Sequence, residues 1–287
     1  MAALRDEIEA YVSHALAGWV PPAYRVGKLI RDPLHGCVFF EPAHVSVLDC
    51  PLVQRLRKIH QTSLAVFTYP SAAHSRFDHT LGVAHNAAQL IAAIQRKHPE
   101  LIDGERPLEI IIAGILHDCG HGPFSHSSEE LIKEYPEIRD SLRLDERFSN
   151  CQDKPHEALS YLIATSASFR PVLDRLADEY GLNRERISAH VIGNMIVGKM
   201  DVPDQEGYLS DIINGTFDAD KLDYMSRDSY FTGLRMVVDI DRILYTMGVR
   251  TGTNRPRRLC TDLSGVPNLR ADAVQQDALV QLDVPSS

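Results

Sequence analysis

The sequence predicts a mainly α-helical chain, with a short β-hairpin near the N-terminus and a small irregular C-terminal appendage. Three observations predict it. From Asp49 to about residue 245, apolar residues recur at three- and four-residue spacing almost throughout. Before that stretch, residues 24–42 alternate loosely around Asp32-Pro33-Leu34-His35-Gly36 and Val38-Phe39-Phe40, as a hairpin would. After it, Thr251–Arg258 turns polar and basic, and 271–287 is a polar tail. The expected organisation is an N-terminal helix (1–24), one helical domain (25–250) and an appendage or truncated lobe (251–287).

Each element has a local reason. Leu4, Ile8, Tyr11, Val12, Ala15 and Leu16 give helical spacing over residues 1–18. Pro51 opens a helix carrying Leu52, Leu56 and Ile59, and the stretch from Pro70 to Ser75 interrupts before a helix at His79–Lys97. Pro107 stands at the start of an apolar helix ending in Leu116. Further helices are expected at 126–135, 156–168, 171–180, 184–199, 209–214, 217–229 and 239–248, and a strand pair within Leu259–Leu269.

Composition narrows the function classes. The chain has 287 residues, 44% hydrophobic and 24% charged, which are ordinary globular values. Its formal charge is −9, which argues against general nucleic-acid binding, since that requires many neutralised phosphates. No apolar run is long enough to span a bilayer. The charged start lacks the uninterrupted apolar stretch of a signal peptide, so a cytoplasmic location is expected. Five scattered cysteines without a CxxC read as reduced thiols.

The histidines cluster, and four elements converge. His117-Asp118 ends the apolar helix, where two adjacent side chains can address one ion off the helix end. Taken alone, such a pair is more often a surface pair closing a helix. Gly120-His121-Gly122-Pro123-Phe124-Ser125-His126 lets the backbone approach a ligand closely. His126 and Glu129 share a helical face, a spacing that lets a carboxylate orient an imidazole. Arg76-Phe77-Asp78-His79 opens another helix. Finally, in 218–228 (DADKLDYMSRD), Asp220, Asp223 or Tyr224, and Arg227 or Asp228 share one face.

These motifs, with DPLHG at 32–36, PLVQRLRKIHQ at 51–61, HSRFDHTLGV at 74–83 and HDCGHGPFSH at 117–126, resemble the HD-domain metal-dependent phosphohydrolases. The resemblance is strongest to their deoxynucleoside-triphosphate triphosphohydrolase (dGTPase-like) branch, and it runs from about Lys28 to Asp241. It implies an HD-domain helical bundle. It also implies that His79, His117, Asp118 and Asp220 bind a divalent metal ion (Fe, Mn, Zn, Ni or Mg), because such a mixed nitrogen and oxygen set suits them all.

The resemblance further implies that His121 and His156 contact phosphates or act as acid and base. His126 with Glu129 would stand near the attacked phosphorus. Arg76 and Lys221 would clamp phosphates, Gln61 and Asp228 would contact the sugar 3′-hydroxyl, and Tyr224 would exclude a 2′-hydroxyl. Lys28, Asp49, Gln54 and Arg57 fall where tetrameric members build an activating nucleotide site, although a packed helix (PLVQRLRKI) with its charges on the rim is the favoured reading. Family members continue into a helix that grips triphosphate and base. Here the similarity fades after Cys260, which implies a shortened form or a smaller phosphohydrolase with a more open site.

The expected function is therefore hydrolysis of a dNTP to deoxynucleoside and triphosphate, in a homo-oligomer with a deoxynucleotide substrate. Two alternatives stand beside it: a stepwise phosphatase on nucleotides or their analogues, and a nucleotide-binding regulatory module. Arg255-Pro256-Arg257-Arg258 is the one dense basic run, and it reads as a solvated loop or a subunit contact.

Overall fold

The computed structural model describes residues 2–149, 151–200, 206–235, 239–250 and 257–261. Among these, helices dominate, with two small antiparallel strand pairs. Helix α1 (Ala2–Ala15) precedes the hairpin β1 (Lys28–Asp32) and β2 (Gly36–Phe40), in which Lys28 faces Phe40 and Asp32 faces Gly36. Its turn forms because Asp32 Oδ1 accepts the backbone N–H of Leu34 and of His35, at 2.8 and 2.9 Å.

Two proline-led helices follow, α2 (Pro42–Leu48) and α3 (Pro51–Gln54). The former is not apparent in the sequence. The helix expected from Pro51 runs for one turn only and tightens into a 3-10 turn at Arg55–Lys58, yet Leu52 and Leu56 are buried as the spacing requires.

Helix α4 (Arg76–Lys97) is the central element, three residues longer at its start than expected. The cause is a reciprocal cap. Asp78 N donates to Ser75 Oγ at 3.2 Å, and Ser75 N donates to Asp78 Oδ2 at 2.8 Å. The cap brings Arg76 into the first turn beside His79, one turn apart on the same face.

Helix α5 (Arg106–Leu116) is buried from Glu109 to Leu116 and lies in the middle of the core. Glu109 is tolerated there because Arg106 Nη1 and the Ser188 N–H donate to its carboxylate, both at 2.7 Å. Helices α6 (His126–Glu134), α7 (Pro136–Leu144), α8 (Pro155–Ala164), α9 (Arg170–Tyr180) and α10 (Ala189–Ile196) come next. Among these α7 is additional to the expected set. Helix α10 starts later than residue 184 because Ser188 supplies its cap.

Helices α11 (Gly207–Ile213), α12 (Ala219–Thr232) and α13 (Ile240–Thr246) complete the bundle. Asp218 caps α12 by accepting the Lys221 N–H at 2.7 Å, which places Asp220 in its first turn. At the C-terminal side, β3 (Met247–Arg250) pairs with β4 (Arg258–Thr261), Met247 opposite Thr261, so β4 overlaps the start of the expected Leu259–Leu269 pair and has a partner before it in the chain. Residues 251–256 and 262–287, including most of the basic run, the rest of Leu259–Leu269 and the tail, lie outside the described residues.

The main core joins α4, α5 and α12 with α2, α9, α10, α11 and the hairpin, through residues such as Val83, Ile112, Ile192 and Leu222. A smaller core beneath α1, α7 and α8 contains Leu4, Leu142, Phe148 and Tyr161. Helix α1 serves both, with Val12 in the first and Leu4 in the second. Among the described residues, no helix is long and apolar enough to cross a membrane.

Candidate metal centre and active site

The first turn of α4 supplies His79, the residues after α5 supply His117 and Asp118, and the first turn of α12 supplies Asp220. His79 Nε2 lies 2.9 Å from Asp220 Oδ1 and 3.8 Å from Asp118 Oδ2. His117 Nε2 lies 3.3 Å from Asp118 Oδ1 and 3.8 Å from Asp220 Oδ1. His79, His117 and Asp118 form one donor group, and Asp220 Oδ1 reaches both of its imidazoles, although the four residues are separated by up to 141 positions in the chain.

Their outer nitrogens are occupied. His79 Nδ1 donates to Asp223 Oδ2 at 2.8 Å, and His117 Nδ1 donates to the Gly114 carbonyl at 2.7 Å. That fixes a proton on each Nδ1 and points each Nε2 inward as a donor atom. Both Nε2 atoms are buried without a hydrogen-bond partner. Two buried imidazole lone pairs beside two carboxylates fit a divalent cation. Asp220 is the most accessible of the four, with 26% of its side chain exposed, so the centre opens to solvent beside it.

Electrostatics agree. Burial disfavours charge on His79, but the adjacent Asp220 and Asp223 carboxylates outweigh it and raise its pKa to about 10 in the metal-free chain. Burial also works against Asp118, yet Arg76, His117 and His121 hold its carboxyl well below the usual range. For Asp220, burial is likewise overcome by His117 and His79. The pocket's negative field thus retains protons at the positions a cation would take.

A second cluster adjoins the first. His121 Nε2 is 3.3 Å from Asp118 Oδ1, and the His121 ring stacks on His156 at 3.8 Å between centroids. Glu129 Oε1 lies 2.5 Å from His156 Nδ1, 3.2 Å from His126 Nδ1 and 3.5 Å from His121 Nδ1. The sequence pairs Glu129 with His126; its tighter partner is His156, because α8 packs its N-terminal turn against α6. Burial opposes the charge on Glu129, and the His126 and His156 hydrogen bonds hold it ionised far below the usual carboxylate range. His121 is kept neutral by burial first and then by Arg76 and His156. Only His126 reaches solvent, at 57% exposure.

Backbone chemistry explains why the second cluster sits there. Ser160 on α8 accepts the Gly120 N–H at 2.8 Å and donates to the His117 carbonyl at 2.5 Å, tying α8 to the 117–120 turn. A Cβ on Gly120 would stand 2.1 Å from the His156 carbonyl, so only glycine permits this approach. Ser125 carries φ 53, a left-handed backbone that costs a non-glycine residue roughly 1–3 kcal/mol. In that conformation its hydroxyl accepts from Arg76 Nε at 2.9 Å and donates to the Gln61 carbonyl at 3.1 Å.

The expected substrate contacts surround this floor. Arg76 is buried, with its guanidinium on Asp118 and Ser125. Gln61 is buried with Oε1 lacking a hydrogen-bond partner. Its N–H donates to the His74 carbonyl at 3.0 Å, and His74 Nε2 donates to Asp228 Oδ1 at 2.8 Å, so His74 sets the spacing of Gln61 and Asp228. Tyr224 is half-buried on α12, one turn after Asp220. Lys221 is a different matter: its ammonium bonds the Gly215 carbonyl at 2.8 Å and Asp218 Oδ2 at 2.7 Å, where it braces the helix start. Of the expected activator-site residues, Lys28 pairs with Asp49 at 2.9 Å, and Arg57 Nε donates to Gln54 Oε1 at 2.8 Å.

A family model described as "HD domain" matches residues 76–226, a span that contains all four converging donors. The chain belongs to the HD-domain family. This HD domain is 34% identical over 222 residues to the deoxynucleoside triphosphate triphosphohydrolase SAMHD1 homolog of Dictyostelium discoideum, covering 76% of this chain and 39% of that protein. It is 31% identical over 258 residues to the human deoxynucleoside triphosphate triphosphohydrolase SAMHD1, covering 84% of this chain and 39% of the relative. An uncharacterised protein of Mycoplasma genitalium is 28% identical over 222 residues, 76% of this chain and 47% of the relative. The chain thus spans about two fifths of the triphosphohydrolases it matches.

Ser160 and Lys154 were not singled out by sequence reasoning, and Ser125, His74, Asp32 and Arg227 stood in the quoted motifs without an assigned role. Lys154 bonds Glu157 at 2.9 Å, and its charge is favoured by Asp220 as well as by Glu157. A serine or lysine outside the motifs gives no local signal. Asp223 did have one, its i+3 spacing from Asp220.

Proposed function

We propose that this chain hydrolyses deoxynucleoside triphosphates to deoxynucleoside and inorganic triphosphate. The observation that carries the reading is the meeting of His79, His117, Asp118 and Asp220 beside the wall of His121, His126, His156 and Glu129. The triphosphohydrolase activity for which the relatives are named and the motif resemblance support it.

Water adds to the α-phosphorus, the bond to the 5′-oxygen breaks, and the departing oxygen takes a proton. A divalent cation on the four donors would supply charge neutralisation and a more acidic water. The chain's own residues do the remainder. Arg76 and the neutral His121 face the phosphoryl oxygens as hydrogen-bond donors. Glu129 keeps the Nδ1 proton of His126 in place, leaving Nε2 of this exposed imidazole to move a proton at the leaving oxygen. His156, held on the same carboxylate, shares that task.

Gln61 and Asp228 are assigned to the sugar 3′-hydroxyl, and Tyr224 to the face of C2′, where a 2′-hydroxyl would be buried without a partner. Lys221 reaches a phosphate only by leaving Gly215 and Asp218. The two-imidazole, two-carboxylate set accommodates Fe, Mn, Zn, Ni or Mg. The free cysteines among the described residues suit a reducing, cytoplasmic setting, and a homo-oligomer is expected.

The test incubates metal-loaded protein, assayed by elemental analysis and sedimentation, with the four dNTPs and the matching ribonucleotides. Inorganic triphosphate from dNTPs alone is the expected product. Single phosphates would replace this reading with the stepwise phosphatase, and the absence of any product would overturn both.

A further inference from the structure

The metal ligand His79 is tied to a part of the molecule that the hydrolytic reading does not use. Its Nδ1 donates to Asp223 Oδ2 at 2.8 Å, and neither side chain reaches solvent appreciably. The same carboxylate receives Arg227 Nε on Oδ2 at 2.7 Å, and Arg227 Nη2 and His35 Nε2 on Oδ1, both at 2.9 Å. Arg227 extends the chain of bonds with Nη1 to Asp32 Oδ2, also 2.9 Å. Asp32 ends at the backbone N–H groups of Leu34 and His35. From hairpin turn to metal ligand, every link is a charge-assisted or backbone hydrogen bond.

We propose that Asp223 is a positioning residue for His79, clamped by Arg227 and Asp32, so that the 32–36 turn is a working part of the metal centre. The proposal rests on the metal-centre reading. Three further observations support it.

Arg227 is fully buried, and a buried guanidinium is retained only where its donors are matched; here Asp223 takes two and Asp32 a third. Gly82, inside α4, would with a Cβ come within 1.7 Å of Asp223 Oδ1 and 2.6 Å of Arg227 Nη2. Glycine is a poor helix former, and its place here is explained by the carboxylate docked against it. Finally, two carboxylates face one guanidinium. The surplus negative charge lies behind His79, on the side that makes its Nε2 a better donor to a cation.

Asp223 could brace Arg227 within α12, and Arg227 could hold α12 to the hairpin through Asp32, with no imidazole bonded to either. The bond to His79 Nδ1 is what links the network to the metal.

The test measures Mn2+ binding to the full chain by electron paramagnetic resonance, with Mn2+ alone as probe and thermal melting as the check on folding. Asp223→Asn preserves shape and removes the charge, and should weaken Mn2+ binding about 10–100-fold in folded protein. Gly82→Ala, which touches no proposed ligand, should weaken it comparably by displacing Asp223. Asp32→Asn, two bonds further out, should weaken it several-fold, and it decides the matter if the other two variants do not fold. His79→Ala is the control. Parent-like binding in folded Asp223→Asn and Asp32→Asn, with binding lost in His79→Ala, overturns the positioning role alone. Parent-like binding in His79→Ala overturns the metal centre and the proposal with it.

Discussion

The proposed metal centre and the histidine wall beside it share Asp118 as a neighbour but are built in opposite ways. The four proposed donors come from the ends of helices α4, α5 and α12, and the two imidazoles among them are each held by an outer hydrogen bond. The wall hangs on one acceptor, Glu129 Oε1, which serves His156 and His126, and its outermost member stands in solvent. The proposed metal centre therefore has both imidazoles fixed, whereas the wall has a solvent-facing imidazole able to exchange protons. Positioning a cation demands a rigid frame, and moving protons demands access.

Variants can break that contrast. The largest effect is expected for His117→Ala or Asp118→Ala. Each removes a proposed ligand, so both Mn2+ affinity and turnover should fall by more than about 100-fold, beyond the loss of an outer partner. Atomic absorption on the same samples checks the metal content. Glu129→Gln should separate the regions: kcat falls about 100-fold while metal content and KM stay near those of the parent. Equal loss of metal and turnover in Glu129→Gln would mean that the two clusters are one unit.

The pH dependence of binding sharpens the contrast further. In the metal-free chain the His79 pKa is raised to about 10, because Asp220 and Asp223 overcome its burial. A cation must therefore displace a proton at any pH below that value. Apparent affinity should rise with pH, about tenfold per unit for each proton displaced, and level off above about pH 10. Calorimetry in buffers of different ionisation enthalpy counts the protons released. The smallest effect concerns Ser75→Ala, which removes the cap of α4 at about 1 kcal/mol. A lower Tm with metal affinity within about twofold would show that the frame absorbs a local loss.

How much of this was legible depended on sequence distance. His117-Asp118 lies at the end of an apolar helix, and Asp220 lies two residues after a cap residue, so both could be read locally. The start of α4 at Arg76 was also written in Ser75 and Asp78, whose i, i+3 spacing is a cap pattern. By contrast, α7, which opens at Pro136, was missed, and β3, which pairs with β4, was not expected. Lys221 fits its motif position, yet the structure turns its ammonium to Gly215 and Asp218. Nothing at Ser160 announces that its hydroxyl joins two backbone groups about forty positions away.

By itself, the sequence determined the helical class, the N-terminal hairpin and the residue types able to hold a cation, because periodicity, caps and motif spacing act over a few residues. Tertiary structure alone decided that Glu129 favours His156 over His126, that Ser125 adopts a left-handed backbone to hold Arg76, and that Asp32 reaches Arg227 across 195 positions. The physical reason is range. Backbone preferences are set by neighbours, while hydrogen-bond partners in a packed interior are set by which helix faces meet and by the cost of leaving a buried polar group unpaired.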